Sequence, residues 1–425
     1  MKKIVILGAA ESGVGAAVLA QKQGMDVFVS DMGSIKPKYK AMLDSHHIAW
    51  EEGHHTEGRI LSADEVVKSP GIPDKAPLIV KLKAQGTPII SEIEFAGRYT
   101  QAKMVCITGS NGKTTTTSLI YHIFRKAGMD VGLAGNIGHS LALQVAEEPH
   151  QWYVIELSSF QLDNMYDFRA DIAVLMNITS DHLDRYDFKF ENYARSKMRI
   201  LQNMRSENTF VYWQDDPVTS RLLPEYDTPA RVVPFSERQP FPIDGAELAL
   251  PGRHNLYNQM AAAYACLAAG IPEQVIADGL KTFPGVEHRL ERVCERDGVL
   301  WVNDSKATNV DACRWALEAM TRPTVLILGG LDKGNDYDDI KELVLQKCCA
   351  LVFLGKDNRK LQDFFQPLGL PIRETHSMPE CVEACRALAR PGQTVLLSPC
   401  CASFDLFKNM EDRGEQFKSL ARTGE

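Results

Sequence analysis

Between Met104 and Thr115 the chain passes from a short β-rich apolar run, MVCIT, through a glycine-rich turn into helix-forming sequence from Thr114. The turn reads Thr108-Gly109-Ser110-Asn111-Gly112-Lys113-Thr114-Thr115. A strand entering and a helix leaving such a turn commit this stretch to α/β layering, with loop amides gathered at a helix N-terminus that favours anions. Lys113 is placed to neutralise β- and γ-phosphates, and the hydroxyl of Thr114 or Thr115 to hold Mg2+. Ile107 stands where the strict P-loop spacing has its first glycine. The expectation is an ATP-type phosphate site on a related loop.

The same alternation runs through most of the chain and predicts largely parallel sheets. Strands are expected at 4–7, 27–30, 66–67, 88–90, 104–108, 153–156, 172–176, 299–302, 324–328, 351–354 and 394–397, with helices over 13–23 and 258–269. At 425 residues the chain is long enough for two to three domains of about 150 residues. The junction Phe283-Pro284-Gly285 and the fresh start at Met104 place boundaries near residues 92 and 285, giving sections 1–92, 93–285 and 286–425.

Composition narrows the function classes. With 47 Lys plus Arg against 55 Asp plus Glu, the net charge is −8, and no basic run offers a nucleic-acid footprint. The apolar run after Lys3 breaks at Gly8, and no stretch is apolar for long enough to cross a membrane. None of the 10 cysteines forms a CxxC pair, so a thiolate zinc site is not expected and reduced core thiols are. A cytoplasmic protein without membrane insertion is the expectation.

Further motifs follow predicted strands. Gly8-Ala9-Ala10-Glu11-Ser12-Gly13 resembles the dinucleotide turn, with Asp31 closing the next strand, but Ala10 replaces the middle glycine that admits a pyrophosphate. That leaves either a tight βα turn or a site for another diphosphate-bearing ligand. Glu156 ends the apolar run WYVI, at the edge where open α/β sheets bind ligands. The segment 177–184, NITSDHLD, leaves the strand over 172–176 and brings His182. Carboxylate, hydroxyl and imidazole beside phosphates suit Mg2+ or Mn2+.

TGSNGKTT at 108–115, GNIG at 135–138, ELSSFQL at 156–162, NITSDHLDRY at 177–186 and YARSK at 193–197 together resemble the Mur ligases. GRHNLYNQMAA at 252–262 and the His288-Arg289 pair fit the same pattern. NDSKATN at 303–309, LGGLDKG at 328–334 and SPCCASFDLFKNMEDRGEQF at 398–417 resemble the branch that adds D-glutamate to UDP-N-acetylmuramoyl-L-alanine. The resemblance covers nearly the whole chain. It implies three domains: a Rossmann-like N-terminal one for the UDP precursor, a P-loop-type central one for ATP, and a Rossmann-like C-terminal one for the amino acid.

The resemblance also implies ATP-dependent amide formation through an acyl phosphate, by a monomer. Gly109 to Thr115 would hold the phosphates, with Asn255, Asn258, Arg289 and Asp304 completing the ATP site. Thr114, Thr115, Glu156, His182 and Lys197, the last as a carbamate, would hold the metal ion. Ser12, Asp31, Ser69, Pro70, Gly71 and Asn136 would face the UDP substrate, and Lys306, Thr308, Lys333, Ser403 and Phe404 the D-glutamate. Three departures bear on substrate contacts: Ala10, Met32-Gly33 where a basic residue often assists, and Met410 where an aromatic often stands. The rival expectations are another amino-acid-adding ligase such as folylpolyglutamate synthetase, a nicotinamide dehydrogenase, and a non-catalytic nucleotide-binding regulator.

Overall fold

The structure, a computed structural model, describes residues 1–250, 252–332 and 334–423. The backbone forms two compact units, one of Met1–Ala249 with Asn255–Phe283 and one of Leu250–His254 with Pro284–Glu425. Among the described residues no helix is long and apolar enough to cross a membrane.

The first unit contains two parallel sheets. In the first sheet β1 (Lys3–Leu7), β2 (Asp26–Asp31), β3 (Ala49–Glu52), β4 (Glu65–Lys68) and β5 (Ile89–Ile90) lie in the order β3-β2-β1-β4-β5. The turns after β1 and β4 therefore diverge at a topological switch point, the ordinary ligand crevice of a doubly wound sheet. The second sheet is built from β6 (Lys103–Thr108), β7 (Val131–Gly135), β8 (Trp152–Glu156), β9 (Ile172–Leu175), β10 (Thr209–Trp213) and β11 (Arg231–Phe235), ordered β11-β10-β9-β6-β8-β7. Here β6 lies between β8 and β9, so the glycine-rich loop is flanked by Glu156 on one side and the 177–182 segment on the other.

These strands are apolar on both faces because helices cover both; Val105, Cys106 and Ile107 are wholly buried. One continuous core runs from Ile4 through Ala230 and joins the two sheets. Ser140, which caps the helix Leu141–Glu147, donates to the buried Glu92 carboxylate at 2.7 Å, and the Ala142 amide donates to the same oxygen at 2.6 Å. Burial pushes the Glu92 carboxyl up to about 7.

The sheet of the second unit comprises β12 (Glu291–Arg296), β13 (Val299–Asn303), β14 (Thr324–Gly329), β15 (Cys348–Leu354), β16 (Ile372–Thr375) and β17 (Thr394–Cys400), ordered β12-β13-β17-β14-β15-β16. Its inner strand β17 sits between β13 and β14, which brings the loops after β13, β14 and β17 to one edge. All pairs are parallel except β12 with β13, a hairpin turned by Asp297-Gly298 at φ of 51° and 74°. Two positive φ values in a two-residue loop give the twist that suits a hairpin.

Element positions differ from expectation in detail. The helix expected at 258–269 runs from Arg253 to Ala268, its polar opening RHN carrying no apolar stripe to announce it. The strands β3, β7, β10, β11, β12 and β16 had not been expected. All 10 cysteines are free, and eight of them are buried.

Candidate active site

Gly112 serves as the N-cap of the helix Lys113–Lys126 at φ 84°, without a side-chain cap. A Cβ there would lie 2.3 Å from Asn258 Oδ1, so only glycine fits. The first-turn amides consequently point into the loop without a capping side chain, as an anion site requires. Asn177 braces the loop, its Oδ1 accepting from the Asn111 amide at 2.9 Å and its backbone oxygen from the Ser110 amide at 2.7 Å. Ser110 Oγ donates to the Thr179 carbonyl at 2.9 Å and lies 3.0 Å from the Tyr193 hydroxyl. Thr114 and Thr115 are buried, and the Thr115 hydroxyl has no hydrogen-bond partner.

Two lysine amino groups converge on one carbonyl. Lys113 Nζ donates to the Gly109 and Ser110 oxygens at 2.8 and 2.9 Å, and Lys197 Nζ donates to the Gly109 oxygen at 2.7 Å. Lys197, from the helix Phe190–Met198, is 2% exposed and lies over the Tyr193 ring. Burial, reinforced by the Lys113 charge, holds its amine well below the usual lysine range, against the pull of Asp181, Asp163 and Glu156.

Glu156 ends β8 with one oxygen accepting from Asn136 Nδ2 at 2.9 Å. Its other oxygen is buried and unpartnered, a costly arrangement for a carboxylate unless a cation meets it. A buried carboxylate oxygen and a buried threonine hydroxyl on the same loop edge are hard donors of the kind Mg2+ takes; the residues present fit that ion. His182 is exposed in left-handed backbone, φ 51°, its ring edge-on to Phe160 at 5.1 Å and its Nε2 3.5 Å from Asp181.

At the first sheet, the turn after β1 meets the turn after β4. Gly8 is pressed against Ser69, whose buried hydroxyl has no partner. Asp31 takes both neighbouring turns in hand, its carboxylate accepting from the amides of Ala9 and Gly33 at 2.7 Å each. Gly33, where a basic residue often assists, thus offers Asp31 its backbone amide. Ser12 stands half-buried in the first turn of the helix Glu11–Lys22. The carbonyls of Pro70 and Gly71 accept from the Arg185 guanidinium.

Asn255 and Asn258, one turn apart on the helix Arg253–Ala268, are buried and bonded to each other at 3.2 Å. Asn258 Oδ1 also accepts from the Thr116 hydroxyl at 3.4 Å, which places it against the phosphate loop.

In the second unit, Asp304 is fully buried, accepting from Ser398 Oγ at 2.9 Å and the Leu290 amide at 3.2 Å. Burial pushes its carboxyl up to about 6, opposed first by Arg289. Arg289 Nε is buried without a partner; its charge adds to the burial that pushes His254 down to about 4. Lys306 and Thr308 are half-buried on the loop after β13. On the loop after β17, Ser403 is buried and Phe404 is 68% exposed. Lys333 lies outside the described residues.

Several residues inside the quoted motifs have supporting roles that the sequence analysis did not assign. Arg413 is buried, with its guanidinium donating to Ser305 Oγ at 2.9 Å, the Ser305 carbonyl at 2.7 Å and the Cys401 carbonyl at 3.1 Å. It ties the loop after β13 to the loop after β17. Asn177, Thr179 and Tyr193 brace the phosphate loop in a comparable way. The group Glu287, His288 and Glu415 has metal-like spacing, but Lys418 already supplies a cation there, paired with Glu415 at 2.7 Å and with Glu287.

Residues 107–243 match the Mur ligase middle domain, 288–401 the Mur ligase glutamate ligase domain, and 3–77 the MurD N-terminal domain. The UDP-N-acetylmuramoylalanine--D-glutamate ligase of Bacteroides fragilis is 62% identical over 99% of this chain and 100% of its own length. The protein of the same name from Porphyromonas gingivalis is 55% identical over 98% and 97%. The fold is shared with the crystal structure of UDP-N-acetylmuramate-alanine ligase from Thermotoga maritima, at TM-score 0.63 and 18% identity over 99% of both chains. It is shared also with MurF from Acinetobacter baumannii, at TM-score 0.64 and 15% identity over 99% and 93%. The chain belongs to the Mur ligase family, with its three-domain architecture, and within that family to the UDP-N-acetylmuramoylalanine--D-glutamate ligases.

Proposed function

We propose that this chain joins D-glutamate to UDP-N-acetylmuramoyl-L-alanine using ATP, as a cytoplasmic monomer supplying peptidoglycan synthesis. The observation that carries the reading is the convergence of Lys113, Thr115, Glu156 and Lys197 around one glycine-rich loop. The relatives at 55–62% identity over nearly the full chain support the substrate pair. A carboxylate does not form an amide directly, because its oxygen is a poor leaving group. The precursor's carboxylate oxygen attacks the γ-phosphorus and ADP leaves, giving an acyl phosphate. The D-glutamate amine then attacks the acyl carbon, loses a proton and expels inorganic phosphate.

The protein's part is positioning and charge neutralisation. Lys113 and the Gly109–Thr115 amides receive the phosphates, and Asn255, Asn258, Arg289 and Asp304 the rest of ATP. Mg2+, with Mn2+ as a substitute, would be held by Thr114, Thr115, Glu156, His182 and carbamylated Lys197, and would supply neutralising positive charge. Asn136 orients Glu156 and faces the precursor, together with Ser12, Asp31, Ser69, Pro70 and Gly71. Lys306, Thr308, Lys333, Ser403 and Phe404 receive D-glutamate, the lysines pairing its carboxylates. Residues 1–92, 93–285 and 286–425 serve as the precursor, nucleotide and amino-acid sections.

Lys197 acts as a carbamate. The side-chain ammonium first loses a proton, and the neutral amine then adds CO2 and releases a second proton, so that +1 becomes −1 and oxygen ligands are created. The buried, depressed amine favours that addition. The test of the function is ADP release with Mg2+ and UDP-N-acetylmuramoyl-L-alanine while the amino acid is varied. D-glutamate should support turnover; equal use of L-glutamate, or preference for meso-diaminopimelate or L-alanine, rejects the assignment.

A further inference from the structure

The turn after β4 is gripped by a residue from the other sheet of the first unit. Arg185 donates to three successive carbonyls, those of Pro70 at 3.2 Å, Gly71 at 3.3 Å and Ile72 at 3.4 Å. Lys75 reaches the other way, its Nζ donating to the Asp184 carbonyl at 3.3 Å. The Arg185 guanidinium also lies over the Phe160 ring, 4.3 Å from its centroid. That ring in turn meets the His182 imidazole edge-on and stacks on Tyr186 at 6.0 Å. One side chain therefore touches both the turn at 69–72 and the packing beneath His182.

Both ends of this link are poised. His182, Asp187 and Phe188 hold left-handed φ of 51°, 56° and 56°, a conformation that non-glycine residues keep only where surrounding contacts impose it. At the other end every peptide is trans, so a carbonyl drawn to Arg185 turns the following N–H away from it. For the Pro70 carbonyl that N–H belongs to Gly71, and among the described residues no backbone acceptor takes it. Two residues before it in the same turn, the buried Ser69 hydroxyl beside Gly8 is also unpartnered, and both are donors of the kind a phosphate oxygen takes.

We propose that Arg185 is a positioning residue that couples the precursor site to the nucleotide site. A diphosphate-bearing precursor held at Ser69 and Gly71 fixes the turn, the turn fixes the guanidinium, and the guanidinium with Phe160 fixes the His182 loop. The link is reciprocal, since a coupling free energy acts equally on both ligands. This rests on the assignment of the two sites under Proposed function. A purely structural Arg185 would change stability and leave the coupling intact.

The test measures binding of a non-hydrolysable ATP analogue with Mg2+ by calorimetry, with and without saturating UDP-N-acetylmuramoyl-L-alanine, and then the reverse titration. In the wild type the precursor should tighten analogue binding about fivefold or more. Arg185→Gln should bring that ratio close to one while each ligand alone binds within about threefold of wild type, the loss being of coupling rather than of either site. Arg185→Lys, a point charge without the fork, should fall between them. Phe160→Leu should abolish the ratio from the other end of the link, and serves if Arg185→Gln does not fold. A wild-type ratio of one, an unchanged ratio in both Arg185→Gln and Phe160→Leu, or loss of one ligand's binding altogether overturns the proposal. Wild-type ADP release with D-glutamate is read in parallel: its absence overturns the functional assignment, whereas its presence with unchanged coupling overturns only the role of Arg185.

Discussion

Lys197 in the first unit and Arg413 in the second are 2% and 1% exposed, and among the described residues neither has a carboxylate within ion-pairing distance. Both meet the cost of burying a cation, and they meet it differently. The Lys197 amine, donating to the Gly109 carbonyl beside the Lys113 ammonium, is driven well below its usual range. Arg413 is lowered only to about 10, burial being the cause, and so stays charged at neutral pH. Its planar fork satisfies one hydroxyl and two carbonyls at once, which a lysine cannot do. Burial thus makes one cation available for chemistry and the other a fixed clamp between loops.

The strongest way to break this comparison is Lys197→Ala. Activity should fall by about 100-fold or more while circular dichroism stays native, and small carboxylates should restore part of it. Full activity in that variant, or in CO2-depleted wild type shown to lack the modification, removes the carbamate. At Arg413, replacement by Met should cost about 2–4 kcal/mol in urea unfolding, since two carbonyls and a hydroxyl lose their donor. The KM for D-glutamate should rise with it, and Arg413→Lys should recover little. A Lys variant as stable as the wild type would show that charge alone suffices there.

The buried acids sharpen the contrast through pH. Glu92 at about 7 and Asp304 at about 6 are both raised by burial, so the folded chain binds more protons than the unfolded one between the ordinary carboxylate values and those values. Stability falls as pH rises through that window, and Glu92→Gln should remove about 3 kcal/mol of the slope between roughly pH 4.5 and 7. Lys197 has the opposite sign: its folded pKa is depressed, so stability rises with pH below the unfolded lysine value. A pH-independent unfolding midpoint across the acid window would refute the Glu92 assignment. The smallest effect on the clamp is expected at Ser305→Ala, which takes the hydroxyl acceptor from Arg413 and the hydroxyl donor from the Met410 carbonyl and should cost about 1.5 kcal/mol by the same unfolding measurement. A loss as large as that of Arg413→Met would mean the clamp rests on that single hydroxyl.

What was legible in the chain follows from range. The phosphate loop, Glu156 and the buried strands announce themselves within a few residues, because strand, glycine turn and helix are local signals. Gly132 and Gly135 dilute the apolar pattern of β7, and β3 is short, with half of AWEE charged. The hairpin of β12 and β13 carries a readable mark, Asp297-Gly298 between two short runs. The Arg413 clamp joins residues 108 apart in sequence, and Arg185 reaches the 70–72 turn across more than 110; no periodicity reports such pairs. Asp31 was placed by its position at a strand end, but its bonds to Ala9 and Gly33 depend on how two turns meet in space.

The antiparallel β12 has a bearing on how this protein behaves in a crowded solution. Without it β13, reading VLWVN, would be the outer strand of its sheet, an open and mostly apolar row of amides and carbonyls that another chain could extend. Four of the six residues of β12 are charged, Glu291, Arg292, Glu295 and Arg296, so the strand that takes the outer place is a poor template for further growth. Replacing Arg292 and Arg296 by Val should leave the reaction untouched and raise light scattering on mild heating; scattering equal to that of the wild type would mean the charges do not guard this edge.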